Sequence, residues 1–219
     1  MLTVWGRTTS FNVQKVMWTI GELGLEHRRI EAGGAYGGLN SPEYLAMNPN
    51  GKIPVIDDSG VWVWESNAIV RYLAGRYGAG TLCPDNLGAR AAADQWMDWM
   101  LTTLYPDWIA TFYGMVRTPP SKRDPQALAA SVALTAKHYG LLDAHLAQSA
   151  YVAGDRLTMG DIPIGSTLHR YFDMEIERPR LANLEAYYAR LKERPAFRDH
   201  AMVSYESLRV TDEVHGLGG

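Results

Sequence analysis

Two short runs carry most of the chemistry that this chain can do. Asn50-Gly51-Lys52-Ile53-Pro54-Val55 is a turn that opens an apolar strand, and eleven residues after Pro54 comes Glu65-Ser66-Asn67-Ala68-Ile69. A proline at the start of a strand removes only one ladder donor. If the Ile53-Pro54 bond is cis, Ile53 turns its N–H and C=O outward, where an extended peptide can pair with them as an added strand does. Cis is a small minority of X-Pro bonds, so these residues alone favour trans. Ser66 stands one residue before a helical apolar pattern, a position suited to an N-cap. A helix start also attracts a carboxylate through its free N–H groups and its dipole. Glu65 beside it can receive an ammonium, so the pair suits the head group of an α-amino acid. The plain alternative is a cap next to a solvated acid. Lys52 is a single cation at the turn, either solvated or facing a second ligand carboxylate.

Thr8-Thr9-Ser10-Phe11-Asn12 lies between the first strand and the first helix. A hydroxyl here can donate to a thiolate and lower its pKa, as helix N-termini do for cysteine. Capping by Ser10 or Asn12 is the simpler explanation. Tyr105, Trp108, Ile109, Phe112, Tyr113 and Val116 make an apolar stripe at helical spacing. It can wall a hydrophobic pocket, although core packing is expected for at least half of it. His138, His145 and His169 form no metal-ligand pattern with other donors, so no metal site is expected.

The elements that must position these residues fall into two halves. In the first, strand-like runs at 2–6, 27–32, 54–57 and 61–64 alternate with helical patterns. Val13, Val16, Met17, Ile20 and Leu23 recur at helical spacing and Gly24 ends that helix. Ser41-Pro42 starts a second. Ala68, Ile69, Tyr72, Leu73 and Tyr77 form the apolar face of a third, stopped by Gly78. Asp58-Ser59-Gly60 is a hairpin turn. The order β-α-β-α-β-β-α implies a mixed sheet with helices on its faces. After a linker at 79–87 only helices follow, over 89–116, 125–148, 159–172 and 180–194, with a short one after Pro195. Pro106 should kink or split the first of these. Thr158-Met159-Gly160-Asp161 has capping-box spacing. The expected domains are 1–78 and 88–210, with a frayed tail at 211–219.

Composition narrows the class. At 219 residues the chain is long enough for a proper core without a disulfide or metal staple. The single cysteine, Cys83, rules out an internal disulfide and any CxxC motif. A net charge of −3, without blocks of like charge, carries no nucleic-acid footprint. No apolar run reaches membrane-spanning length, and residues 1–7 have no signal-peptide pattern. A cytoplasmic protein is the expectation.

Taken together, these residues resemble the cytosolic glutathione transferase superfamily over nearly the whole chain. The resemblance rests on Asn48-Pro49-Asn50-Gly51-Lys52-Ile53-Pro54, on Trp64-Glu65-Ser66-Asn67-Ala68-Ile69-Val70-Arg71-Tyr72-Leu73, on the βαβαββα half and on the all-helical half. It implies an α/β plus all-α fold: a thioredoxin-like N-terminal domain with a mixed four-stranded sheet, and a C-terminal helical bundle. It implies glutathione as co-substrate, conjugated to small hydrophobic electrophiles in detoxification, by a cytoplasmic homodimer. Glu65 and Ser66 resemble the pair that holds the γ-glutamyl end, Ile53-Pro54 the cis-proline step beside the cysteinyl backbone, and Lys52 a contact to the glycyl carboxylate. Thr158 to Asp161 resembles a folding element of the family's helical half. No Tyr lies in the first strand and no Cys opens the first helix, so the chain is similar to the bacterial Ser/Thr-type, theta-like or nu-like branches. Aligned on the nu pattern, Ser10 and Asn12 face the thiol; aligned on the theta pattern, Thr8 does, and Thr9 stays open. Asp98 or Asp94, one helical turn apart, would reach the γ-glutamyl ammonium of a partner's ligand. Glutathione-dependent disulfide or peroxide reduction is the nearest rival activity, and a non-enzymatic interaction module is the rival from another class.

Overall fold

The computed structural model of the chain describes residues 1–212. Seven of the nine positions of the expected tail, 213–219, lie outside the described residues. The first half runs β1 (Leu2–Trp5), α1 (Phe11–Glu22), β2 (His27–Ile30), α2 (Pro42–Met47), β3 (Val55–Asp58), β4 (Val61–Trp64) and α3 (Ser66–Tyr77). The strands lie in the order β2-β1-β3-β4, with β1 parallel to β2 and antiparallel to β3, and β3 antiparallel to β4. This is the thioredoxin-like sheet that the resemblance implies.

Local chemistry sets each boundary. Gly24 takes a φ of +62° after α1, and the Leu25 N–H then reaches the Ile20 carbonyl at 3.1 Å, the closure that a left-handed residue allows. Ser41 accepts the Tyr44 N–H at 3.2 Å, and Pro42 occupies the first helical position of α2. In the β3–β4 hairpin Ser59 and Gly60 both have positive φ, as a twist-matched two-residue turn requires, and Asp57 Oδ1 accepts the Gly60 N–H at 2.7 Å. Leu2 and Val4 alternate inward from β1 onto Val13, Val16, Ile20, Ile69 and Leu73, which closes a small core between the sheet and α1 and α3.

The second half holds α4 (Leu87–Trp99), α5 (Tyr105–Phe112), α6 (Pro125–Leu146), α7 (Asp161–Asp173), α8 (Ala182–Lys192) and α9 (Pro195–His200). The expected break falls just before Pro106, not at it. The run from α4 through α5 carries five-residue π-helical turns at Met100–Leu104 and Tyr113–Arg117. The Tyr105 N–H reaches back to the Met100 carbonyl. The ladder is thereby re-phased before Pro106, which falls in the first turn of α5, where it withholds a donor that has no partner to lose. The third expected helix of this half starts at Asp161 instead of residue 159. Asp161 is wholly buried and accepts from the Thr158 N–H, the Thr158 hydroxyl, the Val152 N–H and the Tyr187 hydroxyl. Burial still pushes its carboxyl up to about 6.

The two halves share a core. Trp18 of α1 packs against Gly165 of α7, where a Cβ would come within 2.7 Å of the indole. Glu22 anchors the same face, accepting from the Trp18 indole N–H at 2.8 Å and pairing with Arg194. Phe11 at the start of α1 lies 4.6 Å, centroid to centroid, from the ring of Trp108.

Candidate active site

The turn at residues 48–52 is built before it is used. The Asn48 side chain is buried; it accepts the Asn50 N–H at 3.0 Å and donates to the Lys52 carbonyl at 2.8 Å. Tyr44 donates its hydroxyl to the same carbonyl at 2.9 Å. Gly51 has a φ of +57°, and a side chain there would crowd the Leu39 carbonyl at 3.2 Å. The Ile53-Pro54 bond is cis, the opposite of what the residues alone favour. β3 begins only at Val55, and the N–H and C=O of Ile53 make no hydrogen bond with any other described residue. They form an open edge at the end of the sheet. Lys52 projects its side chain into solvent beside it.

The second motif forms the start of α3. The helix is capped by Glu65, not by the expected Ser66: Glu65 is exposed, with a φ of +68° that is uncommon outside glycine. Ser66 is the first helical residue, and its hydroxyl donates to Asn12 Oδ1 at 3.2 Å. Asn12 therefore belongs to the Ser66 cluster. Behind it lies Lys15, only 1% exposed, whose ammonium donates to Asn67 Oδ1 at 3.2 Å and sits 4.7 Å from the centre of the Phe11 ring. Burial lowers the Lys15 pKa to about 7, against the opposing pull of Glu65. Asn67 in turn donates to the Met97 carbonyl of α4 at 3.1 Å, which ties this corner to the helical half.

The loop from Arg7 to Ser10 joins β1 to α1. Ser10 is the N-cap residue of α1, yet its side chain makes no capping bond, so the simple capping explanation does not account for it. Thr8 is exposed. The Thr9 hydroxyl accepts from Arg7 Nη1 at 2.7 Å, and its carbonyl accepts from Arg170 Nη2 at 2.9 Å. Gln14 donates to the Thr8 carbonyl at 3.0 Å. Arg170 is 2% exposed and lies 4.5 Å above the Phe112 ring; burial lowers its pKa to about 10. Arg7, Thr8 and Thr9 line a cavity of about 530 Å³ together with residues 34–36, Arg117 and residues 207–210.

The apolar stripe divides. Trp108 and Phe112 are 0% and 1% exposed and belong to the core, so they are not open pocket walls. They stack at 5.9 Å and bind α5 to its neighbours. Tyr105 and Ile109 are half-buried and Tyr113 is exposed. Asp94 and Asp98 both pair with Arg71 of their own chain, Asp94 at 2.7 Å. Arg7, Lys15, Arg117 and Arg170 escaped the sequence analysis as site residues. Only Lys15 left a trace, as a charge inside the otherwise apolar face of α1.

Such a molecule has a thioredoxin-like N-terminal domain and a helical C-terminal domain, with an open peptide edge at Ile53 and a helix start at Ser66 hydrogen-bonded to Asn12 of α1. Residues 1–75 match the family model described as glutathione S-transferase, N-terminal domain, and residues 125–190 the one described as glutathione S-transferase, C-terminal domain. The glutathione S-transferase GstB of Escherichia coli is 42% identical over 93% of this chain and 99% of its own length. A theta class glutathione S-transferase from Xanthomonas axonopodis pv. citri, solved with glutathione bound, is 45% identical over 93% of this chain and 98% of its own, with a TM-score of 0.90. A glutathione transferase of Bombyx mori is 27% identical over 94% of this chain and 95% of its own, with a TM-score of 0.83. The chain belongs to the glutathione S-transferase family.

Proposed function

We propose that this glutathione S-transferase binds glutathione extended along the Ile53 edge and activates its thiol at the first loop. The cysteinyl backbone pairs with the free N–H and C=O of Ile53, as an added strand does. The γ-glutamyl carboxylate lies on Ser66 and the N–H groups at the start of α3, and Glu65 receives its ammonium. Lys52 meets the glycyl carboxylate. The thiol then falls near Ser10 and the start of α1. A free thiol has a pKa of about 8.5 and is mostly protonated at neutral pH. Donation from the Ser10 hydroxyl, with Thr9 and Asn12 holding the surrounding loop, favours the thiolate that attacks a small electrophile. Tyr105 and Ile109 supply apolar surface for that electrophile. The observation that carries this reading is the unpaired backbone of Ile53 at the cis-proline step, together with the Ser66 hydroxyl that ties the start of α3 to Asn12 of α1.

A homodimer in the cytoplasm completes the reading. Trp62 and Trp64 on the edge strand β4 are 47% and 37% exposed, an apolar strip suited to a second copy. In that assembly Asp98, on the surface beside Arg71, is the residue placed to reach the partner's ligand.

Calorimetric titration of glutathione tests the ligand site: saturable binding of one per subunit, weakened by Ser66→Ala, is the expected outcome. No binding at millimolar glutathione would remove the transferase mechanism and leave an interaction module on this fold.

A further inference from the structure

The cavity beside the first loop adds cationic groups to a largely apolar lining. Three of its lining residues are arginines, Arg7, Arg117 and Arg209, and none is an aspartate or glutamate. Arg209 is neutralised by Glu206, at 2.8 and 2.9 Å. Arg7 and Arg117 pair with no carboxylate among the described residues. They stand close enough that Arg117 adds to burial in lowering the Arg7 pKa. Arg7 Nε is buried and lacks a hydrogen-bond partner, although Nη1 of the same side chain is held by Thr9. The Arg7 side chain lies flat over Gly34, where a Cβ would come within 2.8 Å of Nε; the glycine leaves room for it. Behind this wall Arg170, 2% exposed, also leaves its Nε unpartnered. Hydroxyls of Thr8, Tyr36 and Ser207 complete the lining with further donors.

Like charges set side by side cost free energy, and the buried, unpartnered edge of Arg7 is stabilised when a carboxylate approaches it. The cavity borders the first loop, where Thr8 and Thr9 of its lining precede Ser10. Gly6 and Gly33, the neighbours of Arg7 and Gly34, both approach the Ile53 side chain, at 3.5 and 3.2 Å from their would-be Cβ positions. We propose that the second substrate of this enzyme is a small anionic electrophile, with its carboxylate held by Arg7 and Arg117 and its reacting carbon turned toward Ser10. The assignment rests on the transferase reading above and names its substrate class. For an alkyl halide the step balances simply. The glutathione sulfur forms a bond to carbon, the carbon–halogen bond breaks and halide leaves with the electron pair, and the thiol proton goes to solvent.

The test uses two probes that differ in charge, 4-(bromomethyl)benzoate and 4-(bromomethyl)benzamide, at saturating glutathione. The full-length protein should conjugate the benzoate with the higher kcat/KM. Arg117→Gln should lower the benzoate-to-benzamide ratio about tenfold, the scale of one lost charge-assisted contact, and added salt should lower the wild-type ratio. An unchanged ratio in Arg117→Gln, with both probes still conjugated, overturns the anion assignment alone. A raised glutathione KM with an unchanged ratio also overturns it, by giving the guanidinium groups to the tripeptide's own carboxylate. Conjugation of neither probe overturns the transferase reading and the assignment together.

Discussion

The Ser66 hydroxyl donates to the Asn12 side-chain oxygen at 3.2 Å, across 54 residues of sequence. The two helix starts on which the site depends are thereby one hydrogen-bonded unit. In the proposed binding mode α1 brings the loop beside the thiol, and α3 brings the donors for the γ-glutamyl end.

Ser66→Ala frees Asn12 and removes the hydroxyl that the proposed binding mode sets against the γ-glutamyl carboxylate. Glutathione affinity should fall by roughly 1–2 kcal/mol, about 5–30-fold, by calorimetry. Asn12→Ala should cost less, and the double variant should cost clearly less than the sum, because each single change already breaks the shared contact. Strict additivity would mean that the two residues act independently.

Ser10→Ala should separate activation from binding. The cap position keeps its backbone bond from Gln14, so the helix start survives the change. Turnover should drop roughly 10–100-fold while the glutathione Kd changes little, as expected for a donor that acts on developing thiolate charge. The thiolate ultraviolet band of the bound complex, followed against pH, should shift upward by about 1–2 pH units. An unmoved band would identify Ser10 as structural and turn attention to Thr8, the exposed hydroxyl of the same loop.

Lys15 ties stability to pH. Its folded pKa of about 7 lies below the ordinary 10.5, so between those values the unfolded chain binds more protons than the folded one. Wild-type stability should therefore rise as pH increases from about 7 toward 10.5, and it is lost as pH falls through that window. Lys15→Met keeps the volume without the charge. It should flatten this dependence and raise stability at neutral pH, checked by denaturant melts at several pH values. A variant whose pH dependence matched the wild type would place the titration elsewhere.

Trp108→Ala should cost about 3–5 kcal/mol, because the indole is fully buried between Phe11 and Phe112 and joins the two domains. Trp108→Phe should be much milder, since the indole N–H has no partner to lose. Per folded molecule, glutathione binding should survive in the second variant. Loss of binding there would return Trp108 to the site.

What was legible in the sequence was local. Gly24, Ser41-Pro42 and Ser59-Gly60 mark their boundaries because capping and turn chemistry act over a few residues. The Asn48 to Pro54 turn was readable for the same reason. The cis geometry at Pro54 was not, because neighbouring residue types do not select the isomer. Ser66 was placed one position late as a cap, because the left-handed Glu65 has no local signature. The π-helical turns around α5 were hidden, since the apolar spacing from Trp108 to Val116 fits an ordinary helix. The guanidinium groups of Arg7, Arg117 and Arg170 meet only in three dimensions, through contacts as distant as the 161 residues from Arg170 to Thr9.

The Arg170 contact bears on the order in which the site can be assembled. A ribosome releases the sheet, the Ile53 edge and the first loop well before α7 is made. Until Arg170 arrives to hold the Thr9 carbonyl, the loop beside the thiol lacks its rear support. In the proposed mechanism the reactive corner is therefore complete only once the last third of the chain has been made, and a product truncated before α7 lacks the rear support of that loop.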